Sequence, residues 1–179
     1  DALLSGAKML QDLGWRAGEP WLEEISLPDN FDWSLTGLET IKSITEWQTM
    51  GVTSRNGPLR EGLGASIILP QGRQGPAFVA YPNFRVYFEW NQSFTYVLTA
   101  AYFANRLQGA KVFDAGNPEA GLDGAQMKTL QTGLQRLGHD VGAIDGILGA
   151  GTRAAVRAEQ ARLGLPVDGW PTPTLLSKL

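Results

Sequence analysis

The hydrophobic positions of this chain change period several times. Leu3, Leu4, Ala7, Leu10 and Leu13 recur at steps of three and four, which predicts a helix over 1–13. Gly14 stands where a glycine would cap it. Leu22, Ile25 and Leu27 lie in an alternating stretch, a strand over 21–27 closed by Pro28. Phe31, Trp33 and Gly37 follow in an aromatic loop. Leu38, Ile41, Ile44 and Trp47 then recur every three residues and predict a short helix over 36–50, stopped by Gly51. Two apolar runs, 65–69 and 77–80, flank the turn-rich segment 71–76 and read as a hairpin. A helical turn is expected over 83–87. A long helix is expected over 92–107, with Tyr96, Ala100, Phe103 and Leu107 on one face.

Gly116-Asn-Pro118 and Gly121 break the pattern and mark a domain boundary over 115–124. Beyond it the period is helical again, with Met127, Leu130, Leu134 and Leu137 on one face. The chain then repeats itself. Asp145-Gly146 precedes a helix start with Thr152 and an Ala-rich run, and Asp168-Gly169 precedes another with Pro171, Pro173 and Thr174. Asp-Gly pairs suit turns, because Gly takes positive φ freely and Asp bonds its own nearby backbone. The order is helix, turn, helix, turn, helix. A module of roughly 55 residues has a small core, so it depends on a few well-packed leucines.

Composition narrows the function. Of 179 residues, 43% are hydrophobic and 18% charged, as in an ordinary globular protein. The net charge of −3, from 15 basic and 18 acidic residues, gives no basic footprint for nucleic acid. There is no Cys, hence no disulfide, thiolate site or Cys nucleophile. The single histidine, His139, sits in a Gly-His-Asp turn and reads as a surface residue, which disfavours a His-based metal site or triad. No stretch approaches the ~20 apolar residues of a membrane span, and no Gly-rich segment has phosphate-loop spacing. No cofactor and no metal are expected. The start at Asp1, without Met and inside a helical pattern, reads as a processed or truncated product.

Two resemblances follow. Residues 126–179, through Leu130, Gln131, Leu134, Gly138, Asp145, Gly146, Gly149, Thr152, Gln160, Leu165, Asp168 and Gly169, resemble a three-helix peptidoglycan-binding domain. Glu159 stands where that family usually has an aromatic residue. Residues 1–114 resemble the C-terminal half of the catalytic domain of the B-type membrane-bound lytic murein transglycosylases. Leu13-Gly-Trp15 with Gly18-Glu-Pro20, Trp47 with Gly51-Val52, Ile68-Leu-Pro70 with Gly75-Pro-Ala-Phe78, and Asn83-Phe84 with Trp90-Asn-Gln-Ser93 and Tyr96 carry it. Trp90 replaces the family's usual Tyr. The family's catalytic segment, a Glu followed by Gly-Ala-Met-Gly and Gln-Phe-Met-Pro-Ser, does not occur in these residues.

The resemblance implies an α+β, mostly helical fold: a lysozyme-like lobe with a small β-subdomain over 1–114, a linker over 115–124 and a three-helix module over 125–179. It implies cleavage, without water, between N-acetylmuramic acid and N-acetylglucosamine. One carboxylic acid protonates the leaving oxygen and then acts as base, and the muramyl 6-hydroxyl closes a 1,6-anhydro end. The acid Glu is expected upstream of Asp1, and the chain alone is expected to be inactive. Within it, Glu46 beside Trp47 and Glu89 beside Trp90 are the carboxyls an aromatic neighbour could desolvate. Trp90 and Asn91 are the expected substrate contacts: an indole can stack on a sugar face, and an amide both donates and accepts. Asn91 could equally cap the next helix. Ser93 reads as a helix-start residue and Tyr96 as core.

The implied partners are glycan strands and muropeptides, together with a missing N-terminal half of the same protein. The implied compartment is the periplasm, and anchoring to a membrane would go through an absent N-terminal segment. A non-catalytic peptidoglycan-binding protein with a degenerate lobe is the alternative. Oligomeric state is left open.

Overall fold

The computed structural model describes residues 2–179. It divides into two compact units. The first comprises residues 2–31, Thr36–Ile68 and Ala77–Phe113; the second comprises Asp32–Leu35, Leu69–Pro76 and Asp114–Leu179.

In the first unit, α1 (Ala2–Asp12) ends where its glycine predicts. Gly14 has φ +100°, and the Trp15 N–H reaches back to the Leu10 carbonyl at 2.9 Å. Five strands follow, β1 (Leu22–Ser26), β2 (Lys42–Ser43), β3 (Thr53–Ser54), β4 (Gly64–Ile68) and β5 (Ala77–Ala80). They form one antiparallel sheet in the order β2-β4-β5-β1-β3. The β4–β5 hairpin pairs Ile67 with Val79. Nearly all its side chains are buried, which explains continuous apolar runs rather than alternation.

Two sequence expectations change here. The helix expected over 36–50 is only α2 (Ile44–Thr49). Lys42 and Ser43 pair with β4, and Ser43 caps α2 in a reciprocal box with Glu46, so the chain is extended before the helix starts. Ile41 is consequently exposed. The second change concerns α4 (Phe94–Leu107), which follows α3 (Pro82–Trp90). α4 buries Val97 and Ala101, not the stripe Tyr96, Phe103 and Leu107, which is exposed. The helix carries apolar residues on two faces, and periodicity alone cannot choose between them. The core joins Leu22, Ile68, Phe78, Ala80 and Phe84 to Val97 and Ala101. Each such burial is worth roughly 1.5–3 kcal/mol for the larger side chains.

The second unit contains α5 (Gly124–Arg136), α6 (Ala150–Arg162) and α7 (Pro173–Leu176). Asp123 and Gln126 form a capping box at α5, and Thr172 with Pro173 starts α7. Met127, Leu130, Leu134, Val141, Ala155, Val156 and Leu175 make the core. Leu137, expected on the apolar face, is the exposed C-cap residue of α5.

Glu159 is buried where an aromatic residue was anticipated. It accepts from Arg162 Nε at 2.7 Å and lies 2.7 Å from His139 Nε2. His139 is therefore tied to a carboxylate rather than free on the surface. The Arg162 bond first, and His139 with it, holds the Glu159 carboxyl below its ordinary range. A depressed folded-state value means the contribution is present above the unfolded value and lost as pH falls through the folded one. Thermal melts should therefore show this unit weakening below about pH 4.5, and Glu159→Gln should flatten that acid slope. An unchanged slope in the variant would assign acid sensitivity elsewhere.

Candidate functional site

The junction of α3 and α4 holds the residues expected to touch substrate. Pro82 at the start of α3 fixes its first turn. Asn83, fully buried, accepts from the Arg16 N–H at 2.8 Å and donates to the carbonyls of Arg16 at 2.8 Å and Glu19 at 3.0 Å. One amide thus anchors the turn after α1 to α3, which accounts for the Asn83-Phe84 pair in the sequence. At the other end, Trp90 closes α3, and its ring lies 5.5 Å from that of Tyr96. Trp90 is 40% and Tyr96 52% exposed, so Tyr96 is not core but half of an open aromatic pair.

Asn91 does not cap α4; Ser93 does, accepting from the Tyr96 N–H. Asn91 Oδ1 instead accepts from the Ser93 N–H at 2.8 Å. Among the described residues its Nδ2 has no partner, so the group left for a ligand is a donor. An N–H donor on the residue that follows Trp90 suits a sugar hydroxyl or acetamido oxygen.

The two in-chain carboxyls differ from what an acid catalyst needs. Glu46 Oε2 accepts from Ser43 Oγ at 2.6 Å and from the Ser43 N–H at 2.8 Å. These bonds hold its carboxyl below the ordinary range, the opposite of a proton kept for delivery. Glu89 is exposed near the end of α3.

Among the described residues, the carboxyl with raised proton affinity is Glu23, which the sequence did not single out. Burial pushes it up, against the lowering effect of the Tyr81 hydroxyl, which donates to Glu23 Oε2 at 2.6 Å. Tyr81 in turn accepts from the Arg60 N–H at 3.1 Å. A signal was present: Glu23 and Glu24 are adjacent on a predicted strand, so alternation must point them to opposite faces. Glu24 pairs with Arg55 at 3.1 Å. Glu23 lines a cleft of about 1000 Å³ with Trp15, Trp21, Arg60 and Glu61. Trp15 packs 5.6 Å from Trp21, whose Nε1–H donates to the Ala101 carbonyl. None of Glu46, Glu89, Trp90 and Asn91 lines this cleft.

The second unit contains the same device twice. Gln131 Oε1 accepts from the Gly146 N–H at 2.9 Å, and its Nε2 donates to Asp145 Oδ1 at 3.2 Å and the Ile147 carbonyl at 3.1 Å. Gln160 Oε1 accepts from the Gly169 N–H at 2.9 Å, and its Nε2 donates to Asp168 Oδ1 at 2.8 Å and the Trp170 carbonyl at 3.2 Å. Each Asp Oδ1 also accepts the N–H two residues on, from Ile147 at 2.8 Å and Trp170 at 2.9 Å. Gly146 and Gly169 have φ +83° and +72°, which explains the two Asp-Gly pairs. Both glutamines stand out in the sequence, but their clamping role is visible only in three dimensions.

A family profile described as Transglycosylase SLT domain matches residues 1–105, and one for a peptidoglycan-binding domain matches residues 123–179. No curated protein matches the chain. Among solved structures, SltB3 from Pseudomonas aeruginosa in complex with NAG-anhNAM-pentapeptide is 44% identical, with a TM-score of 0.83. SltB3 in complex with NAG-NAM-pentapeptide matches at the same identity and TM-score. The alignment covers 99% of this chain and 49% of SltB3, so the chain spans about half the length of that relative. Soluble lytic transglycosylase SltB1 of the same organism is 27% identical over 62% of this chain and 38% of its own, with a TM-score of 0.48. From the motifs around Asn83 and Trp90 to the paired Asp-Gly clamps, the chain belongs to the transglycosylase SLT-domain family and ends in a peptidoglycan-binding domain.

Proposed function

We propose that this chain is part of a lytic transglycosylase that cleaves peptidoglycan between N-acetylmuramic acid and N-acetylglucosamine, leaving 1,6-anhydro ends. Residues 1–114 form the C-terminal part of its catalytic domain, 115–124 a linker and 125–179 the module that holds it to the wall. The observation that carries this reading is the alignment of nearly the whole chain with SltB3, solved in complex with NAG-anhNAM-pentapeptide. Such a protein works on the cell wall, and we place it in the periplasm. No described helix is long and apolar enough to cross a membrane.

In this reading the acid comes from a part of the enzyme that corresponds to the half of SltB3 outside the alignment. The chain supplies substrate contacts: Trp90 stacks on a sugar and Asn91 Nδ2 donates to it. The test incubates purified sacculi with this chain and, separately, with the longer protein. The chain is expected in the sacculus pellet with no soluble product. The longer protein is expected to release anhydro-muropeptides, read by mass spectrometry. A longer protein that binds sacculi and releases nothing would make this a non-catalytic wall binder. Anhydro products from the chain alone would place the acid within it and direct mutagenesis to Glu23, Glu46 and Glu89.

Asn91→Asp separates the two jobs of that residue. The aspartate still accepts from the Ser93 N–H, but the donor is gone. In the longer protein this change should lower kcat/KM about tenfold to a hundredfold, with the melting temperature held. An unaltered kcat/KM would leave Asn91 a turn residue only.

A further inference from the structure

The two clamps of the second unit are built alike but covered differently. At the Asp168 clamp, the chain's own segment Leu69–Pro76 fills the space. The Arg73 N–H donates to Asp168 Oδ2 at 3.0 Å, using the oxygen that the clamp leaves over. Gly72 lies against Trp170 so closely that an L-residue's Cβ would come within 2.7 Å of the Trp170 Cβ. The far end of the Trp170 indole meets Gly121, and its Nε1–H donates to the Glu119 carbonyl at 2.9 Å.

At the Asp145 clamp the corresponding positions are open. Ile147, which matches Trp170 in the repeat, is 62% exposed, and Ile144 and Asp145 are also exposed. A cavity of about 340 Å³ adjoins them, lined by Gln131, Gly142, Asp145, Ile147 and Thr152 among others. The Ile147 N–H first, then Gln131, holds the Asp145 carboxyl below its ordinary range, so it is an anion at neutral pH. An open carboxylate edge beside Ile147, with Lys128 as its nearby positive charge, calls for a backbone donor next to a small apolar group.

We propose that the Asp145–Gly146–Ile147 clamp docks the stem peptide of peptidoglycan, receiving one of its backbone amides as the Asp168 clamp receives that of Arg73. This rests on the wall-binding reading above. The occupied copy also specifies the kind of residue that fits. The residue before the donated amide, Gly72, has φ +76°. L-residues avoid that region by steric clash, and the mirror-image argument makes it the ordinary region for D-residues. Peptidoglycan stems contain D-residues, so a stem can present its amide in this backbone shape where an L-peptide is strained.

The test uses the full chain and two synthetic probes: a stem pentapeptide, L-Ala-γ-D-Glu-L-Lys-D-Ala-D-Ala, and its all-L counterpart. Amide-resolved NMR should show shifts at Gly146 and Ile147 with the stem, and binding at least about tenfold weaker for the all-L probe. Asp145→Asn keeps Oδ1 for the clamp but replaces the open acceptor by a donor. It should weaken the stem at least about tenfold, the scale of one lost charge-assisted hydrogen bond. Ile147→Ser, whose clamp bonds are all backbone, should weaken it too without unfolding the turn. Shifts confined to other residues, equal binding of the all-L probe, or stem binding untouched by both variants would overturn the proposal. Sacculus pelleting of the unaltered chain tells its failure from a wider one. A chain that pellets but ignores the stem refutes only this site, whereas a chain that does not pellet refutes wall binding and the site together.

Discussion

Gln131→Ala should remove about 3–5 kcal/mol from the second unit, the sum of several lost hydrogen bonds, orphaned buried groups and a cavity. Gln131 is buried and links the Gly146 N–H, the carbonyls of Ala143 and Ile147, Asp145 and Thr152. Truncation leaves those groups facing one another without a mediator. A segment of about 57 residues has roughly 3–9 kcal/mol in total by the usual per-residue figure, so this one change should bring the unit close to its unfolding point. Hydrogen exchange on the full chain reads it: protection of α5 and α6 amides should collapse while β4 and β5 keep theirs. Gln160→Ala should act in the same way through the Asp168 clamp. A loss below about 1 kcal/mol would mean that water replaces the amide at little cost, and that the clamps are not what holds the turns. This differs from Asp145→Asn, which leaves the glutamine's partners in place.

How far the sequence could be read depended on whether a local rule or a distant partner decided each element. The β4–β5 hairpin was legible because two apolar runs flank a Gly- and Pro-rich turn, and both belong to one local unit. The end of α1 at Gly14 and a start of α7 near Pro173 were legible for the same reason, although the capping residue, Thr172, was not singled out. The region before α2 was not. Leu38 and Ile41 have helical spacing with Ile44 and Trp47, but pairing of Lys42 and Ser43 with β4 overrides it. Spacing also predicted an apolar stripe on α4 without telling that Val97 and Ala101, rather than Tyr96 and Phe103, face inward.

The candidate site follows the same division. Trp90 and Asn91 could be named from a local motif, but that Asn91 Oδ1 is occupied and Nδ2 is not follows from the turn geometry. Glu23 was hidden because its raised proton affinity comes from burial, which the fold creates, and prevails over the lowering hydrogen bond from Tyr81, 58 residues away in the chain. Glu159 looked anomalous in sequence because its partners, His139 and Arg162, come from another turn and from its own helix. A departure from a family's usual residue was here a substitution of one kind of buried contact for another.

Trp47→Ala is expected to cost about 3–5 kcal/mol in the first unit, as for other large aromatic truncations in a core. Trp47 has no exposed surface, its ring lies 6.2 Å from that of Phe31, and its Nε1–H donates to the Ala65 carbonyl at 2.9 Å. Its own carbonyl accepts the Val52 N–H that turns the chain out of α2. The side chain therefore ties α2 to β4 by packing and by one buried bond, and Trp47→Phe divides the two. Phenylalanine retains much of the ring contact and leaves one carbonyl bond unmade, so about 1–3 kcal/mol should be lost. Urea midpoints of the two variants measure the split. If Phe cost as much as Ala, the indole hydrogen bond would dominate over packing. If Phe cost nothing, the Ala65 carbonyl would have found another donor. In either variant that stays folded, Glu23 should keep its raised proton affinity. Glu23 lies on β1, and β5 stands between β1 and the strand that Trp47 touches. A fall of the Glu23 value in folded Trp47→Phe would show that the sheet transmits the change across β5, which the separate packing of the two residues argues against.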